Sequence, residues 1–427
     1  MNAETLIATY LRQYNKRRLQ FPPPDSWTEL PPPQAGQRYL LYLHVPFCKS
    51  LCPFCSFHRV VFQPDTATRY FDALRDEIAL VGEAGYRFDE VYVGGGTPTV
   101  AVNELCRTLH HLAERHDIQR ISVETNPDDL ADDIVGELRV AGVKRLSVGV
   151  QSFDDSQLAA MQRLENYGSG ADIRAALKRV QGVFETLNVD MIFNLPGQTE
   201  ALLRRDLEIL TGEIRADQVS FYPLMTLSST RERMLRAMGR VDYTREEALY
   251  RLIDEHMSAA GYRRNSVWCF SRVPGMFDEY IVERDEYVGL GSGAFSHLGE
   301  SLYASTFSIP HYRELVESGH TGTFGRLRLS ERDRMRHYLL LKLFGGVLDK
   351  RRADDRFDHR FQRTLWPEIA LLLTLGAIRN SGNRLELTDK GRYLWIVLMR
   401  EFFTGVNNLR DQMRHRGPGT APSTYRV

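Results

Sequence analysis

The sequence has no net charge and few cysteines, and these shortages exclude several classes of protein. Lys and Arg together number 55 and Asp and Glu also 55, so the chain has no overall attraction for nucleic acid or for an anionic membrane. No apolar run approaches the roughly 18 residues of a membrane span, and the N-terminal stretch MNAETLIATYLRQYNKRR has no apolar core with a cleavage site. We therefore expect a cytoplasmic protein with no membrane span and no nucleic-acid partner.

Five cysteines in 427 residues are too few and too scattered for a disulfide framework. Three of them, Cys48, Cys52 and Cys55, lie within eight residues, whereas Cys106 and Cys269 stand apart. The spacing C-x3-C-x2-C lets one loop wrap an iron–sulfur cube, and three thiolates for four irons leave one iron open to another ligand. The clustering predicts a metal centre.

A zinc site is the alternative for the same loop. Tetrahedral zinc takes four ligands, and His44 and His58 flank the cysteines and could complete the set. Zinc sites of this kind usually pair two C-x2-C knuckles, and no second knuckle follows. The spacing therefore favours the iron–sulfur cluster over zinc.

Short apolar runs alternate with amphipathic stretches from Tyr39 to about residue 240. The runs are YLLYLHV, EVYVGGG, RISVETN, RLSVGVQ, LNVDMIFNLPG and QVSFYPL. Six strands separated by helices predict an α/β fold, a partial parallel (β/α)6 barrel. Polar residues end several of these strands, where the loops of parallel α/β folds converge on a site.

Composition changes along the chain predict five segments. A proline-rich N-terminal arm covers 1–38, the core barrel 39–240, a substrate-side extension 241–325, a mostly helical, winged-helix-like domain 326–412, and a disordered tail 413–427. Winged helices often bind DNA, but acids are interspersed in RLRLSERDRMRH, which favours a solvated helix face.

Five motifs occur in order along the chain: YLHVPFCKSLCPFCSF, GGGTPT, SVETNP, GVQSF and VDMIFNLPGQT. Together they resemble the radical S-adenosylmethionine (SAM) family that includes oxygen-independent coproporphyrinogen III oxidase, heme chaperones, anaerobic heme-opening enzymes and class C methyltransferases. The resemblance covers about residues 39–310. It implies a [4Fe-4S] cluster on the three clustered cysteines, SAM cleavage to a 5′-deoxyadenosyl radical, and an electron donor such as flavodoxin or ferredoxin.

The same resemblance assigns the SAM contacts. The first SAM is expected against Tyr42, Gly95, Gly96, Thr97 and Glu124. Strand-end glycines let backbone approach a ligand and expose peptide groups, and a carboxylate can hold the SAM ammonium. A second SAM is expected against Gln151, Arg163 and Asp190, with Phe295 nearby. Alternatively, Gln151 is a plain strand-end amide, and Arg163 and Asp190 form a structural ion pair.

Aromatic residues crowd segment 262–307 and suit a planar conjugated substrate, although such clusters are often core packing. The set comprises Trp268, Phe270, Tyr280, Tyr287 and Phe295. Gly289, Gly291 and Gly293 allow close backbone approach there. Cys269 is the candidate catalytic thiol, with a buried hydrophobic role as the alternative.

The leading hypothesis is a methyltransferase-like enzyme that uses two SAM molecules. It would transfer a methyl or methylene group to an sp2 carbon of a planar conjugated substrate, by methylation, cyclopropanation or heme-ring opening, and a partner methyltransferase is a further possibility. A coproporphyrinogen-oxidase-type decarboxylase is one alternative, although that enzyme has Gly-Cys where this chain has Ser56-Phe57. A non-catalytic heme chaperone is another, because the run from Pro53 to Phe57 is close to the chaperone pattern.

Overall fold

A computed structural model of the chain describes residues 28–227, 230–273 and 284–414. Most of the predicted N-terminal arm, the aromatic residue Tyr280 and nearly all of the predicted tail lie outside the described residues. No helix in the described ranges combines the length and the apolar character that a bilayer crossing requires.

From Tyr39 to Pro223, the six predicted strands alternate with helices as the sequence patterns predict, and further strands and helices follow to Arg414. The strands are β1 (Tyr39–Val45), β2 (Phe47–Cys48), β3 (Val60–Val61), β4 (Phe88–Gly95), β5 (Arg120–Thr125), β6 (Arg145–Gln151), β7 (Thr186–Phe193), β8 (Gln218–Pro223), β9 (Arg263–Arg264), β10 (Cys269–Ser271), β11 (Tyr287–Leu290), β12 (Phe295–Leu298), β13 (Ser301–Ser305), β14 (Thr323–Arg328), β15 (Val347–Asp349), β16 (Ile378–Ser381) and β17 (Arg384–Leu387). The helices are α1 (Pro64–Glu83), α2 (Val102–Ala113), α3 (Asp132–Val140), α4 (Asp155–Ala160), α5 (Leu164–Tyr167), α6 (Gly170–Arg179), α7 (Glu200–Glu208), α8 (Arg231–Met238), α9 (Glu246–Ala259), α10 (Ile309–Glu317), α11 (Glu331–Phe344), α12 (Lys350–Arg356), α13 (Phe361–Thr364), α14 (Trp366–Thr374) and α15 (Asp389–Arg414).

Six parallel strands form the centre of one twelve-stranded sheet. They lie in the order β1, β4, β5, β6, β7, β8, and each neighbouring pair is parallel. Helices cross between them, as parallel connections require. The sheet has two free ends in its strand order, so the barrel is open. The predicted α/β fold with a partial parallel (β/α)6 barrel is confirmed.

The first strand shows why its sequence is continuously apolar. All seven residues of YLLYLHV are buried, because a parallel strand inside an α/β fold is covered on both faces. Leu41, Leu43 and Val45 join the large core between sheet and helices. Leu40 and Tyr42 point the other way, into a small cluster with Tyr92 and Ala294 inside the barrel.

The segment predicted as a substrate-side extension continues the same sheet at both ends. Strand β11 pairs with β1 in parallel, and β12, β13 and β14 follow it as antiparallel neighbours. At the opposite end β10 pairs antiparallel with β8, and β9 with β10. The C-terminal region is mostly helical, with β15, β17 and β16 as a small antiparallel sheet.

Candidate functional site

The three clustered cysteines lie on one loop at the carboxyl end of β1. Cys48 and Cys52 are each 6% exposed, and Cys55 is half-buried. The Arg59 guanidinium holds the loop closed, because its Nη2 donates to the carbonyl oxygens of Cys52 and Cys55, both at 2.8 Å. The short parallel pairing of β2 with β3 fixes the base of the loop. One wrapped loop therefore presents all three thiols.

Polar and cationic groups surround the sulfur atoms. Thr97 Oγ1 lies 3.7 Å from Cys48 Sγ, and Arg163 Nη1 lies 3.6 Å from Cys52 Sγ. Burial raises the pKa of the Cys48 thiol to about 12, and the nearby Arg59 charge opposes this shift. A buried thiolate needs a bound metal or a neighbouring cation to be stable.

These surroundings fit an anionic iron–sulfur cluster. Arg59 and Arg163 are buried, and the Nε atom of each has no hydrogen-bond partner among the described residues. Buried guanidinium groups with unused donors stabilise negative charge at the loop. The residues present therefore fit a cluster held by Cys48, Cys52 and Cys55.

The histidines beside the loop are already engaged elsewhere. The two ring nitrogens of His44 are hydrogen-bonded to the Tyr42 hydroxyl and the His58 carbonyl oxygen, both at 2.9 Å. His58 Nε2 lies 3.3 Å from Ser292 Oγ. The arrangement gives no support to the zinc interpretation.

Glu124 is the penultimate residue of β5 and lies beside the glycines of β4. Its Oε2 accepts the Gly95 amide N–H at 3.0 Å, and its Oε1 accepts the Tyr92 hydroxyl at 2.9 Å. A Cβ atom on Gly94 would lie 2.7 Å from the Glu124 carboxyl carbon, so only glycine allows this approach. Burial, together with the negative charge of Asp190, raises the pKa of Glu124 to about 7.

The peptide groups of the GGGT stretch bind the cysteine loop. Gly96 N–H donates to the Val45 carbonyl oxygen at 2.8 Å, and Thr97 N–H donates to the Phe47 carbonyl oxygen at 2.7 Å. A Cβ atom on Gly96 would lie 2.5 Å from that same Phe47 oxygen. These glycines therefore bring β4 against the cysteine loop, and their contact with SAM stays a prediction.

Asp190 lies inside the barrel among polar side chains. Its carboxylate accepts hydrogen bonds from Ser147 Oγ and Asn188 Nδ2, both at 2.8 Å, and burial raises its pKa. Arg145 is the cation that opposes this shift, and sequence reasoning missed it. Its position as the first residue of β6, in an otherwise apolar run, was the available signal.

Arg163 does not pair with Asp190. Its Nη2 donates to the Gly149 carbonyl oxygen at 2.6 Å and to Asn126 Oδ1 at 2.9 Å, and its guanidinium lies 4.1 Å from the Tyr167 ring centroid. The structural ion pair considered as an alternative is therefore wrong. Asn126, which follows Thr125 in the SVETNP motif, is a second site residue that sequence reasoning missed.

Gln151 ends β6 in a backbone conformation that is uncommon for its residue type. Its φ of +74° is in the left-handed region, which non-glycine residues occupy mainly where the surroundings enforce it. A Cβ atom on Gly149 would lie 3.0 Å from Gln151 Nε2. The strand end is thus held in a fixed turn next to Arg163, which contacts the Gly149 carbonyl.

The aromatic residues predicted to line the substrate side separate into two groups. Trp268 and Phe270 are fully buried, and the Trp268 ring packs 4.7 Å from Phe344, centroid to centroid. These two rings are core residues. Of the predicted aromatic residues that the structure describes, Tyr287 and Phe295 are the partly exposed ones.

Cys269 is fully buried in β10, opposite Ser220 of β8. Directly paired residues in adjacent strands share a face of the sheet. Ser220 donates from that face to Asn188 Oδ1, which places Cys269 on the barrel-interior face near the Asp190 group. A catalytic role for the thiol stays a prediction.

The glycines of β11 and of the connection to β12 are required by internal packing. A Cβ atom on Gly289 would lie 2.0 Å from the Phe295 carbonyl oxygen, and one on Gly291 would lie 2.6 Å from the His44 carbonyl oxygen. A Cβ atom on Gly293 would contact the His58 ring at 2.7 Å. The sequence predicted close backbone approach at these glycines. In the structure the backbone approaches Phe295, His44 and His58 of the protein itself.

The C-terminal helix α15 covers the far side of the cysteine loop. Asn407 Nδ2 donates to Ser56 Oγ at 3.0 Å, and Arg410 Nη1 donates to the Ser56 carbonyl oxygen at 3.4 Å. The Arg410 guanidinium lies 5.4 Å from the Phe57 ring centroid and 5.8 Å from that of Phe295. Contacts with the residue after Cys55 thus come from the opposite end of the chain.

The structure combines an open parallel barrel with a three-cysteine loop at the carboxyl end of its first strand, and this combination indicates the class of protein. Residues 42–210 match the family model of the Radical SAM superfamily. The chain therefore contains a radical SAM domain over these residues, and the family resemblance expected from its motifs is confirmed.

Within the superfamily, the similarity points to the group related to oxygen-independent coproporphyrinogen III oxidase. The chain is 28% identical to heme chaperone HemW of Lactococcus lactis over 82% of this chain and 93% of that protein. It is 28% identical to oxygen-independent coproporphyrinogen III oxidase of Bradyrhizobium diazoefficiens over 86% of each. The solved structure of coproporphyrinogen III oxidase (HemN) from Escherichia coli shares the fold, with a TM-score of 0.72, 22% identity and coverage of 92% of this chain and 93% of that one.

Proposed function

We propose that the chain is a radical SAM enzyme that acts on a tetrapyrrole, with oxygen-independent oxidation of a coproporphyrinogen-type substrate as the first candidate. The observation that carries this proposal is the juxtaposition of the thiol loop and the carboxylate site. Thr97 contacts Cys48 Sγ, while two residues earlier Gly95 donates to Glu124. The substrate class comes from the similarity to oxygen-independent coproporphyrinogen III oxidase.

The residues present support this chemistry. When bound, a [4Fe-4S] cluster and SAM supply an electron and a 5′-deoxyadenosyl radical that removes a hydrogen atom from the substrate. Cys48, Cys52 and Cys55 would hold the cluster, and Glu124, as a carboxylate, would accept hydrogen bonds from the SAM ammonium group. Tyr42 belongs to the apolar wall inside the barrel, which would exclude water from the reacting atoms.

The barrel interior offers further groups for a second SAM or for substrate. Asp190 and Gln151 are half-buried on the neighbouring strands β7 and β6, and Arg163 keeps one unused donor, Nε. We propose that Phe295 lines the same space and that Cys269 donates hydrogen or a proton from the interior face. A flavodoxin- or ferredoxin-type protein would be the electron donor.

Methyl or methylene transfer is no longer the leading hypothesis. The relatives compared above are named as an oxidase and a heme chaperone, and neither name describes a methyltransferase. Transfer, and with it a partner methyltransferase, is retained as one outcome of the experiment below.

A heme chaperone is the second candidate, and a specific observation favours it. The similarity to the L. lactis heme chaperone extends over 93% of that protein. The Phe57 side chain, next to the cysteine loop, is 48% exposed and could stack on a flat macrocycle. In this role the chain would bind heme without consuming SAM.

One set of reactions separates these candidates. The full chain is reconstituted with iron and sulfide without oxygen, then supplied with dithionite, SAM and either coproporphyrinogen III or heme. An oxidase releases 5′-deoxyadenosine and carbon dioxide with coproporphyrinogen III, and Cys52→Ser abolishes both while Cys106→Ser does not. S-adenosylhomocysteine in step with substrate loss would instead support group transfer.

Two further outcomes would count against the oxidase proposal. Stoichiometric heme binding with no SAM-derived product would overturn the oxidase proposal in favour of the chaperone. Failure to bind either tetrapyrrole, in protein that has taken up a full complement of iron, would reject both candidates.

A further inference from the structure

A continuous hydrogen-bonded path connects two of the three thiols. Arg163 Nη1 lies 3.6 Å from Cys52 Sγ, and its Nη2 donates to Asn126 Oδ1 at 2.9 Å. Asn126 Nδ2 in turn donates to Thr97 Oγ1 at 2.6 Å. The Thr97 hydroxyl then donates to Cys48 Sγ at 3.7 Å. One amide side chain therefore links the donors of both sulfur atoms.

The path is buried and built from three separate parts of the chain. Thr97 is 2% exposed, Arg163 3% and Asn126 9%. Thr97 follows β4, Asn126 follows β5 and Arg163 begins the turn before α5, so the barrel itself brings them together. The Asn126 amide uses its N–H and its carbonyl oxygen at once, which fixes its orientation and directs the Thr97 proton toward sulfur.

Donors of this kind have a defined effect on a sulfur-ligated metal group. Hydrogen bonds to cysteine sulfur and nearby positive charge set the reduction potential of an iron–sulfur cluster. Reduction adds one electron and hence one negative charge, which the donors and the guanidinium stabilise. Removing a donor therefore shifts the midpoint potential to more negative values.

We propose that Thr97, Asn126 and Arg163 form one unit that donates to the sulfur atoms of Cys48 and Cys52 and raises the reduction potential of the bound cluster, with Asn126 as the positioning residue that connects them. The proposal rests on the cluster assignment made under the proposed function. It gives Arg163 a role toward the cluster in addition to any contact with SAM.

The test measures the midpoint potential of the reconstituted full chain, without SAM, by titration with dithionite followed by electron paramagnetic resonance. Thr97→Val removes the hydroxyl at nearly constant shape, and Thr97→Ser restores it. Asn126→Ala breaks the link between the two donors. Asn166→Ala is the matched control, because Asn166 is an exposed asparagine whose side chain donates to the Gln162 carbonyl oxygen.

We expect Thr97→Val and Asn126→Ala to lower the midpoint potential. A tenfold change in the equilibrium between oxidised and reduced cluster corresponds to about 59 mV for one electron. Thr97→Ser and Asn166→Ala should remain at the wild-type value. If Thr97→Val loses iron while Thr97→Ser keeps it, the hydroxyl is needed to hold the cluster, and the midpoint potential of Asn126→Ala then decides the proposal.

Two results would overturn the inference. One is an unchanged potential in both Thr97→Val and Asn126→Ala with full iron content, and the other is equal loss of iron from Thr97→Val and Thr97→Ser. These results differ from a failure of the proposed function, which is measured by SAM-derived products and tetrapyrrole binding, and from a failure of the cluster assignment, in which the wild-type chain itself takes up no cluster.

Discussion

Asn407 donates from its side-chain amide to the Ser56 hydroxyl at 3.0 Å, and this contact joins the C-terminal helix to the residue that follows Cys55. Asn407 also orients Arg410, because its Oδ1 accepts from Arg410 Nη1 at 2.7 Å. Arg410 in turn donates to the Ser56 carbonyl oxygen. The half-buried end of the cysteine loop is therefore held from α15.

Ser56→Ala and Asn407→Ala should each shorten the life of the bound cluster in air. Loss of one neutral hydrogen bond costs about 1 kcal/mol, and a freer loop end exposes Cys55 to oxidant. Asn407→Ala should have the larger effect, because it also releases Arg410. The measurement is the rate at which the visible absorbance of the reconstituted cluster decays after exposure to air.

The double variant provides the control for this contact. If the two side chains act through each other, combining Ser56→Ala with Asn407→Ala adds less than the sum of the single effects. Fully additive effects on the decay rate would show that the contact does not hold the loop.

The sequence could predict the barrel because its signals are local and repeated. Each of the six parallel strands is a short apolar run, and β1 is buried along its whole length. The cysteine spacing and the strand-end residue Glu124 were visible for the same reason. Such features depend on chain order and periodicity alone.

Contacts between distant parts of the chain could not be predicted in this way. Asn126 resembles an ordinary loop residue until the barrel places it between Thr97 and Arg163. Asn407 lies 351 positions from Ser56, and nothing in a helical pattern marks it. Trp268 and Phe270 suggested a ligand surface by composition, whereas both are fully buried and Phe344 of α11 packs against Trp268, so they belong to the core.

Glu77→Ala should strongly destabilise the fold. The buried carboxylate accepts the Gly291 amide at 2.9 Å, the Gly322 amide at 2.7 Å and the Tyr312 hydroxyl at 2.7 Å. Leaving these donors buried without an acceptor costs about 1–3 kcal/mol each, so we expect a loss of at least about 3 kcal/mol.

Urea unfolding of the wild-type chain and of Glu77→Ala measures this loss of stability. Glu83→Ala, an exposed residue on the same helix α1, is the matched control and should change the unfolding midpoint little. An equal midpoint for Glu77→Ala and Glu83→Ala would contradict the role assigned to Glu77 in joining α1 to the β11 segment.

Serine replacement of the cysteines should divide them into two groups. Cys48→Ser, Cys52→Ser and Cys55→Ser should lose most of the iron after reconstitution, since each removes a thiolate ligand. Cys106→Ser should keep its iron, because Cys106 is buried in α2 and does not belong to the cysteine loop.

Cys269→Ser tests the proposed catalytic thiol separately. We expect full iron content and normal SAM cleavage without substrate, because Cys269 lies in β10 and not in the cysteine loop. Loss of substrate turnover alone would support its role as a donor, whereas unchanged turnover would reject that role.

SAM affinity should depend on pH through Glu124. Burial and the charge of Asp190 raise its pKa to about 7, so the carboxylate is largely protonated below that pH. Only the ionised form attracts an ammonium group, and with a pKa near 7 only about one tenth of it is ionised at pH 6. Once the titration of SAM itself is removed, the dissociation constant should therefore be about tenfold higher at pH 6 than above pH 8.

Calorimetric titration of the reconstituted chain with SAM between pH 6 and pH 8.5 provides the measurement. In Glu124→Gln the side chain cannot ionise, so SAM binding should be weak and should lose this part of its pH dependence. The ratio of variant to wild-type dissociation constants removes any titration of SAM itself, and exposed Glu114→Gln serves as the control. A ratio that stays constant across pH 7 would show that the Glu124 carboxylate does not hold the SAM ammonium, and Asp190 would be the next carboxylate to test by the same comparison.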